Sequence, residues 1–462
     1  MGSEAVAQMA EEMERMQARK LQPHYIATFF RDAFRRLGGR LTGREEGRFE
    51  VRRVPAILRT GQGGEPVSER YERICFDKAH VEGKIEADLI CPGHPLLDAV
   101  VERQIAGSGD VLKSGAILIN DNADDPECEP HLLFYVESAL QDGTVTASGK
   151  RHEISRQIRF VEIYANGKVK DGGPAPYLDY RAATPEEQDA LLAWSRGLEW
   201  LEGNVESRAM AYAAGELVPE HLAECRRHII ARLDKAEKAI TERLTASIQY
   251  LDMRAAELDS RPGGGPGASQ ARNRAEQLAA RLEKRRQELA LQRQISAKTP
   301  LIRGGALVVP GSLVQSLVKG EEPGMYCPDP ITRKQIENAA MQAVMEMEKS
   351  LGNEPRDVSD QKRGFDIESR TSDGHLRFIE VKGRVRGADS VTLTHNEVIF
   401  GLNAGENYIL AIALVEPSER PAASGLVYLG KPFRNEPDFA MRQAAYDIDH
   451  LLKSAEVLYA TP

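Results

Sequence analysis

Between Gly364 and Arg384 the chain reads GFDIESRTSDGHLRFIEVKGR, which places Asp366, Glu380 and Lys382 within an otherwise apolar, hairpin-like pattern. Side chains alternate across a strand, so Phe378, Glu380 and Lys382 share one face while Ile379 and Val381 point to the other. Asp366 and Glu368 alternate in the same way against Phe365 and Ile367. A reversal near Ser372 to Gly374 sets Asp366 opposite Glu380, at the ~5 Å typical of cross-strand neighbours. Two carboxylates that close raise each other's pKa unless a cation lies between them. A hard divalent ion, Mg²⁺ or Mn²⁺, meets that need, because it takes oxygen ligands and retains several waters beside two carboxylates and a phosphate oxygen. Lys382 is then placed to orient a water or to stabilise charge that builds on phosphorus. The same three side chains also suit a structural ion pair on an exposed sheet face, and their spacing alone does not separate the two.

The elements that must position these residues follow from pattern. PDPITRKQIENAAMQAVMEMEKSLG carries Ile336, Ala339, Ala340, Ala343, Val344 and Met347 on one helical face and stops at Gly352. After a linker come the strand FDIESR, the turn TSDG, the strands LRFIEVKG and SVTL, the helix THNEVIFGLNAG and the strand YILAIALVE. Thr394 and Glu397 fit a helix capping box. Arg384 and Arg386 continue the line of Lys382 and suit either DNA phosphates or plain exposed strand charge. His375 and His395 flank the motif and read as surface or turn residues.

GFDI, then EVK, with this order of helix, three strands, helix and strand, resembles the PD-(D/E)xK restriction-endonuclease-like fold. More narrowly it is similar to the Mrr-like domain at the C-terminus of the plant protein No Vein and of large Swi/Snf-type helicases. The resemblance implies a catalytic centre of Asp366, Glu380 and Lys382, with Asp366 and Glu380 holding Mg²⁺ (or Mn²⁺). A helix glutamate often completes such sites; Glu337 and Glu348 both qualify. The motif's proline is Phe365 here, a departure common in the group. Upstream, EGRFEVRRVPAILR, RYERICFD and ADLICPGHPLLDAVVERQ look like the region that follows the motor in those helicases. The implied setting is a phage-defence or DNA-restriction system, with DNA and an ATP-dependent helicase or translocase as partners.

The remainder of the chain bounds this reading. Its 462 residues suggest two to four domains. No apolar run reaches the ~18 residues of a membrane span and no signal peptide opens the chain, so the expectation is cytoplasmic. The five cysteines, Cys75, Cys91, Cys128, Cys225 and Cys327, lack metal-ligand spacing. A net charge of -9 leaves nucleic-acid contact to a local basic patch. Residues 1–180 read as a mixed α/β domain, opened by a helix with Ile26, Phe29, Phe30, Ala33, Phe34 and Leu37 on its apolar face. Within it, GSGDVLKSG has Leu112 where a phosphate loop needs glycine, so no ATPase motor is expected. Residues 184–300 read as two long amphipathic helices, an antiparallel hairpin or coiled coil across a flexible RPGGGPGASQ link. The first carries a stripe from Ile229 through Leu233 to Leu251, and Arg272, Arg274 and Arg281 on the second suit a solvated face or a DNA contact. Residues 328–462 form the nuclease-like part. The fold class is thus mixed α/β with a helical middle. Two functions follow: a metal-dependent DNA endonuclease-like module, or a non-catalytic DNA-binding or assembly subunit of a helicase complex.

Overall fold

The apolar period after Leu21 produces a helix at Pro23–Arg36 (α1), closed by Gly38 at φ +84°. Its inner face is Ile26, Ala27, Phe30, Ala33 and Phe34, all buried, whereas Phe29 is 37% exposed. The expected apolar stripe is therefore narrower by one aromatic. The computed structural model describes residues 11, 13–15, 23–59, 66–122, 129–146, 149–261, 265–319, 330–416, 421–433, 437 and 441–460; Cys128 and Cys327 lie outside them.

The fold is mixed α/β, with several mixed sheets, and forms two compact units that interleave along the chain. One comprises Met1–Leu133, Glu162–Leu201 and Gly304–Pro462, the other Phe134–Val161 and Glu202–Arg303. The segments 1–180 and 328–462, far apart along the chain, thus contribute most of a single unit.

In the first unit, α1 packs on the strands Arg48–Val51 (β1) and Tyr71–Cys75 (β2) and on the helix Pro95–Lys113 (α2), around Phe30, Phe34, Val51, Ile74 and Leu96. Gly107 to Lys113, the phosphate-loop look-alike, forms the last turns of α2. Ala116–Asn120 (β3) pairs antiparallel with Arg181–Ala182.

The second unit holds two long helices, Val218–Asp259 (α3) and Gly265–Gln292 (α4). They run antiparallel: Arg272 pairs with Asp259 near the tip, and Arg293 meets Asp234 at 2.5 Å and Glu237 at 2.7 Å near the base. Leu233 of the expected stripe is buried and the rest is half-buried, as a two-helix seam requires. The expected flexible link is shorter than its composition suggests, since GPGASQ already forms the first turns of α4.

The C-terminal sheet belongs to the first unit. Pro330–Ser350 (α5) precedes the strands Glu354–Asp357 (β4), Ile367–Arg370 (β5), Leu376–Val385 (β6) and Ser390–Thr394 (β7). The helix His395–Ala404 (α6) and the strands Tyr408–Glu416 (β8), Ala422–Gly430 (β9), Gln443–Asp447 (β10) and Glu456–Ala460 (β11) follow. The central order is β4-β5-β6-β8-β9-β11, with β6 and β8 parallel and every other pair antiparallel. Two readings from sequence are corrected: the expected linker contains the edge strand β4, and SVTL leaves the central sheet to pair with β10. One sheet face packs on α5 through Ala340, Val344, Ile367, Ile379 and Val381. The other packs on α6 through Phe378, Tyr408, Leu410, Val398 and Phe400. Gly383 allows α5 to lie close to β6, since a Cβ there would sit 3.0 Å from Ile336. Among the described residues, no helix is long and apolar enough to cross a membrane.

Candidate functional site

The pairing of β5 with β6 runs Glu368↔Phe378 and Ile367↔Ile379, and the next position along sets Asp366 beside Glu380. Asp366 N donates to Ile379 O at 3.0 Å, and Asp366 Oδ2 accepts from Val381 N at 2.9 Å. Strand alternation places Glu380 and Lys382 on the α6 face, the parity expected from sequence. Phe365 departs from that parity. It packs with Phe378 at 5.0 Å between ring centroids and with Phe400 at 4.9 Å, away from Ile367. The reason is local: Gly364 sits at φ +90°, so the chain is not yet extended at Phe365, and a Cβ on Gly364 would press on Phe400 at 3.0 Å.

Glu380 is only 3% exposed, which removes the expectation of an exposed ion pair. Lys382 Nζ lies 2.8 Å from Glu380 Oε1 and donates to Glu397 Oε1 at 2.9 Å. Glu397 also completes the predicted capping box, since its Oε2 accepts from Thr394 N at 3.1 Å while its own N–H donates to Thr394 Oγ1 at 3.3 Å. One ammonium group therefore lies between Glu380 and Glu397, and its charge also acts on Asp366. Burial pushes the Asp366 carboxyl up to about 7 against the pull of Lys382. Burial, then the charges of Asp366 and Glu397, push Glu380 well above the carboxylate range. Lys382 shifts upward despite its burial, because Glu380, Glu397 and Asp366 all favour its charged form.

These groups line a cleft of about 890 Å³ whose other walls bring in residues far away in sequence. Asp179 is the foremost of them. Its Oδ1 accepts from Asn396 N at 3.0 Å and its Oδ2 from Asn396 Nδ2 at 2.9 Å, at the first turn of α6. Burial, reinforced by the charge of Glu397, raises its carboxyl to about 7. Sequence reading missed Asp179, and no local signal marks it, since the contact joins positions 217 apart. It also missed the second task of Glu397, for which the capping motif was a sufficient explanation by itself.

The remaining candidates separate cleanly. Glu337 lines the cleft from α5, and its charge adds to the upward push on Asp366. Glu348 does not line it. It is fully buried and accepts from Ser369 Oγ at 2.6 Å and Asn353 Nδ2 at 2.8 Å, with Arg377 at 3.4 Å. Arg384 lines the cleft, while Arg386 pairs with Glu416 at 3.3 Å on the surface. His375 is exposed beside Glu14. His395 is not a surface residue: it is 1% exposed, donates from Nδ1 to Met441 O at 2.6 Å and meets the Tyr25 hydroxyl through Nε2.

The donor set fits a hard cation in its chemistry. Asp366 and Glu380 offer carboxylate oxygens, each with one oxygen engaged by the protein, and both are shifted toward the protonated form by burial first and by neighbouring carboxylates second. Among the described residues, no group of three or more His, Cys, Asp or Glu side chains is arranged to hold a metal ion. Any ion would rest on two carboxylates, with water or substrate oxygen completing its shell.

No curated protein and no solved structure matches the chain. Residues 336–424, which contain Asp366, Glu380, Lys382 and Glu397 but not Asp179, match the family model described as protein NO VEIN, C-terminal.

Proposed function

We propose that residues 328–462 form a PD-(D/E)xK nuclease-like domain and that the cleft is a divalent-metal-dependent site acting on the phosphodiester backbone of DNA. The observation that carries this reading is the juxtaposition of Asp366 and Glu380 on one buried sheet face beside a single ammonium group, that of Lys382. Asp366 and Glu380 would hold Mg²⁺ or Mn²⁺. Bound there, the metal supplies Lewis-acid polarisation of a phosphoryl oxygen and a more acidic water. Lys382 faces the charge that grows on phosphorus, and Glu397 fixes its Nζ in place. Lys170, Arg333, Lys334 and Arg384 line the same cleft and give a phosphate backbone cationic surroundings. The setting we propose is a helicase-associated phage-defence or restriction complex in which a separate ATP-driven translocase supplies motion.

The test is cleavage of duplex DNA by the full chain with Mn²⁺ or Mg²⁺, in parallel with Mn²⁺ binding. Asp366→Ala and Glu380→Ala should each abolish both. Lys382→Ala should keep metal binding and lose cleavage by on the order of 10²- to 10³-fold, the typical worth of one electrostatic donor. Undiminished cleavage in Glu380→Ala would remove the activity from this site.

A further inference from the structure

The segment containing EGRFEVRRVPAILR has a feature that the cleft does not use. Residues 31–59 hold nine arginines (31, 35, 36, 40, 44, 48, 52, 53 and 59), no lysine and four carboxylates (32, 45, 46 and 50), in a chain of net charge -9. Seven of the nine have structural employment. Arg48 is 6% exposed and donates to the carbonyls of His80, Val81 and Ile85 at 2.8, 2.9 and 2.7 Å. Arg31 stacks over Phe49 at 4.7 Å. Arg35 and Arg36 share Asp32, Arg44 and Arg52 share Glu50, and Arg59 pairs with Glu69. Arg40 and Arg53 remain. Both are exposed, and neither makes an ion pair or hydrogen bond to any described residue.

Arg40 and Arg53 line one concavity of about 450 Å³, together with Arg52, Thr42, Gly38, Pro55 and Ala56. Among the described residues, no carboxylate lines it. Gly38, at φ +84°, turns the chain after α1, and Arg40 lines the same concavity as Arg52 and Arg53, which follow Val51 at the end of β1. Arg40 and Arg53 line one concavity with no carboxylate partner among the described residues, beside Arg52, which Glu50 holds, and unpaired guanidinium groups suit phosphate, since each offers a planar fork of donors to two oxygens. The lining also narrows the occupant. Among the described residues it has no aromatic ring to stack on a base, as a nucleotide pocket would use, and no large apolar side chain to enter a bilayer, as a membrane-binding surface would use.

We infer that the Arg40/Arg52/Arg53 concavity binds the sugar-phosphate backbone of nucleic acid without reading its sequence. The inference does not rest on cleavage in the cleft and holds equally for a chain that only engages nucleic acid.

The test is fluorescence anisotropy of the full chain with labelled duplex DNA and duplex RNA across a salt series, in EDTA so that no divalent-dependent cleavage intervenes. Co-sedimentation with phosphatidylserine vesicles forms a parallel arm. Arg40→Glu/Arg53→Glu should weaken duplex binding at least ~10-fold and make the log K against log salt slope shallower by about 2, one per lost phosphate contact. Arg40→Gln/Arg53→Gln, which removes charge without reversing it, should move both readings the same way by a smaller amount. Lys235→Glu/Lys238→Glu, an equal charge change on exposed positions of α3, should leave both unchanged. Failure of the parent to bind either duplex overturns the inference. So does affinity in the Arg40/Arg53 variants within about twofold of the parent, or an equal loss in the α3 control. Vesicle binding without duplex binding would assign the concavity to membranes instead. Because no metal is present, none of these outcomes bears on Asp366 and Glu380.

Discussion

Glu348 and Glu380 are both buried carboxylates of the C-terminal sheet region, and their surroundings are opposite. Glu348, on α5, is surrounded by donors: Ser369, Asn353 and Arg377 all reach it. Glu380, on the α6 face, shares its one ion-pair partner, Lys382, with Glu397, and the carboxylates of Asp366 and Glu397 both push its pKa up. Burial of charge is common to both places, so burial alone does not mark a functional site. What differs is the immediate set of partners. A carboxylate ringed by donors is complete within the protein, whereas one crowded by other carboxylates has an open requirement for positive charge.

The comparison is tested most severely by removing the shared cation. Lys382→Ala leaves three neighbouring carboxylates uncompensated, and loss of one member of a buried ionic cluster typically costs about 3–5 kcal/mol. The variant should melt well below the parent in EDTA at neutral pH, and Mn²⁺ should restore more of its stability than it adds to the parent. Ligand at 100 times its Kd contributes about 2.7 kcal/mol, enough to read in a melting curve. Glu348→Gln should also lower the melting temperature, but with no dependence on divalent ion. Equal Mn²⁺ responses in the two variants would erase the distinction between the two places.

How far the sequence foretold this follows from the range of each interaction. The pairing of Asp366 with Glu380, and the parity of Glu380 with Lys382, depend on strand alternation and one short turn, both local properties that a string of residues displays. Phe365 broke the rule because Gly364 delays the start of the strand, a backbone event that a period-two pattern does not register. Glu337 and Glu348 were indistinguishable, because both sit on α5 and only its packing decides which one meets the cleft and which one meets Ser369. Asp179 was invisible for a stronger reason: it reaches α6 only after the chain has folded through many intervening elements. The same holds for the interleaving of the two units.

A smaller effect sharpens the comparison through pH. Burial pushes the Asp366 carboxyl up to about 7 in the folded chain, against 3.8 ordinarily. Between about pH 4 and 7 the folded chain keeps a proton that the unfolded chain has released, so stability falls as pH rises through that window and is level above it. The shift sets a ceiling of roughly 4 kcal/mol. Glu380 takes up part of it, because neutralising Asp366 eases the ionisation of its partner. Asp366→Asn in EDTA should therefore be more stable than the parent at pH 8, by on the order of 2 kcal/mol, with the gain shrinking toward pH 4. Chemical denaturation at both pH values measures it. A gain independent of pH would mean that the asparagine improves packing and that the parent carries no such charge strain.

The smallest effect separates two arginines that sequence treated as equivalent. Arg386 and Glu416 are each 55% exposed and 3.3 Å apart, the kind of surface pair whose loss changes stability by less than ~1 kcal/mol. Arg384 lines the cleft, where its guanidinium is tethered to Ser390 O at 3.3 Å and Gly383 O at 2.9 Å. If the cleft receives a phosphate backbone, only the second arginine lies where that backbone passes. Arg384→Ala should weaken duplex DNA binding in Ca²⁺, a divalent ion that often supports binding without turnover, and should make the salt dependence shallower by about 1. Arg386→Ala should change neither affinity nor salt slope, which makes it the internal standard for a lost surface charge. Equal losses in both would mean that DNA feels only the general charge of the β6 exit, and that the cleft's crowded acids serve some other cation.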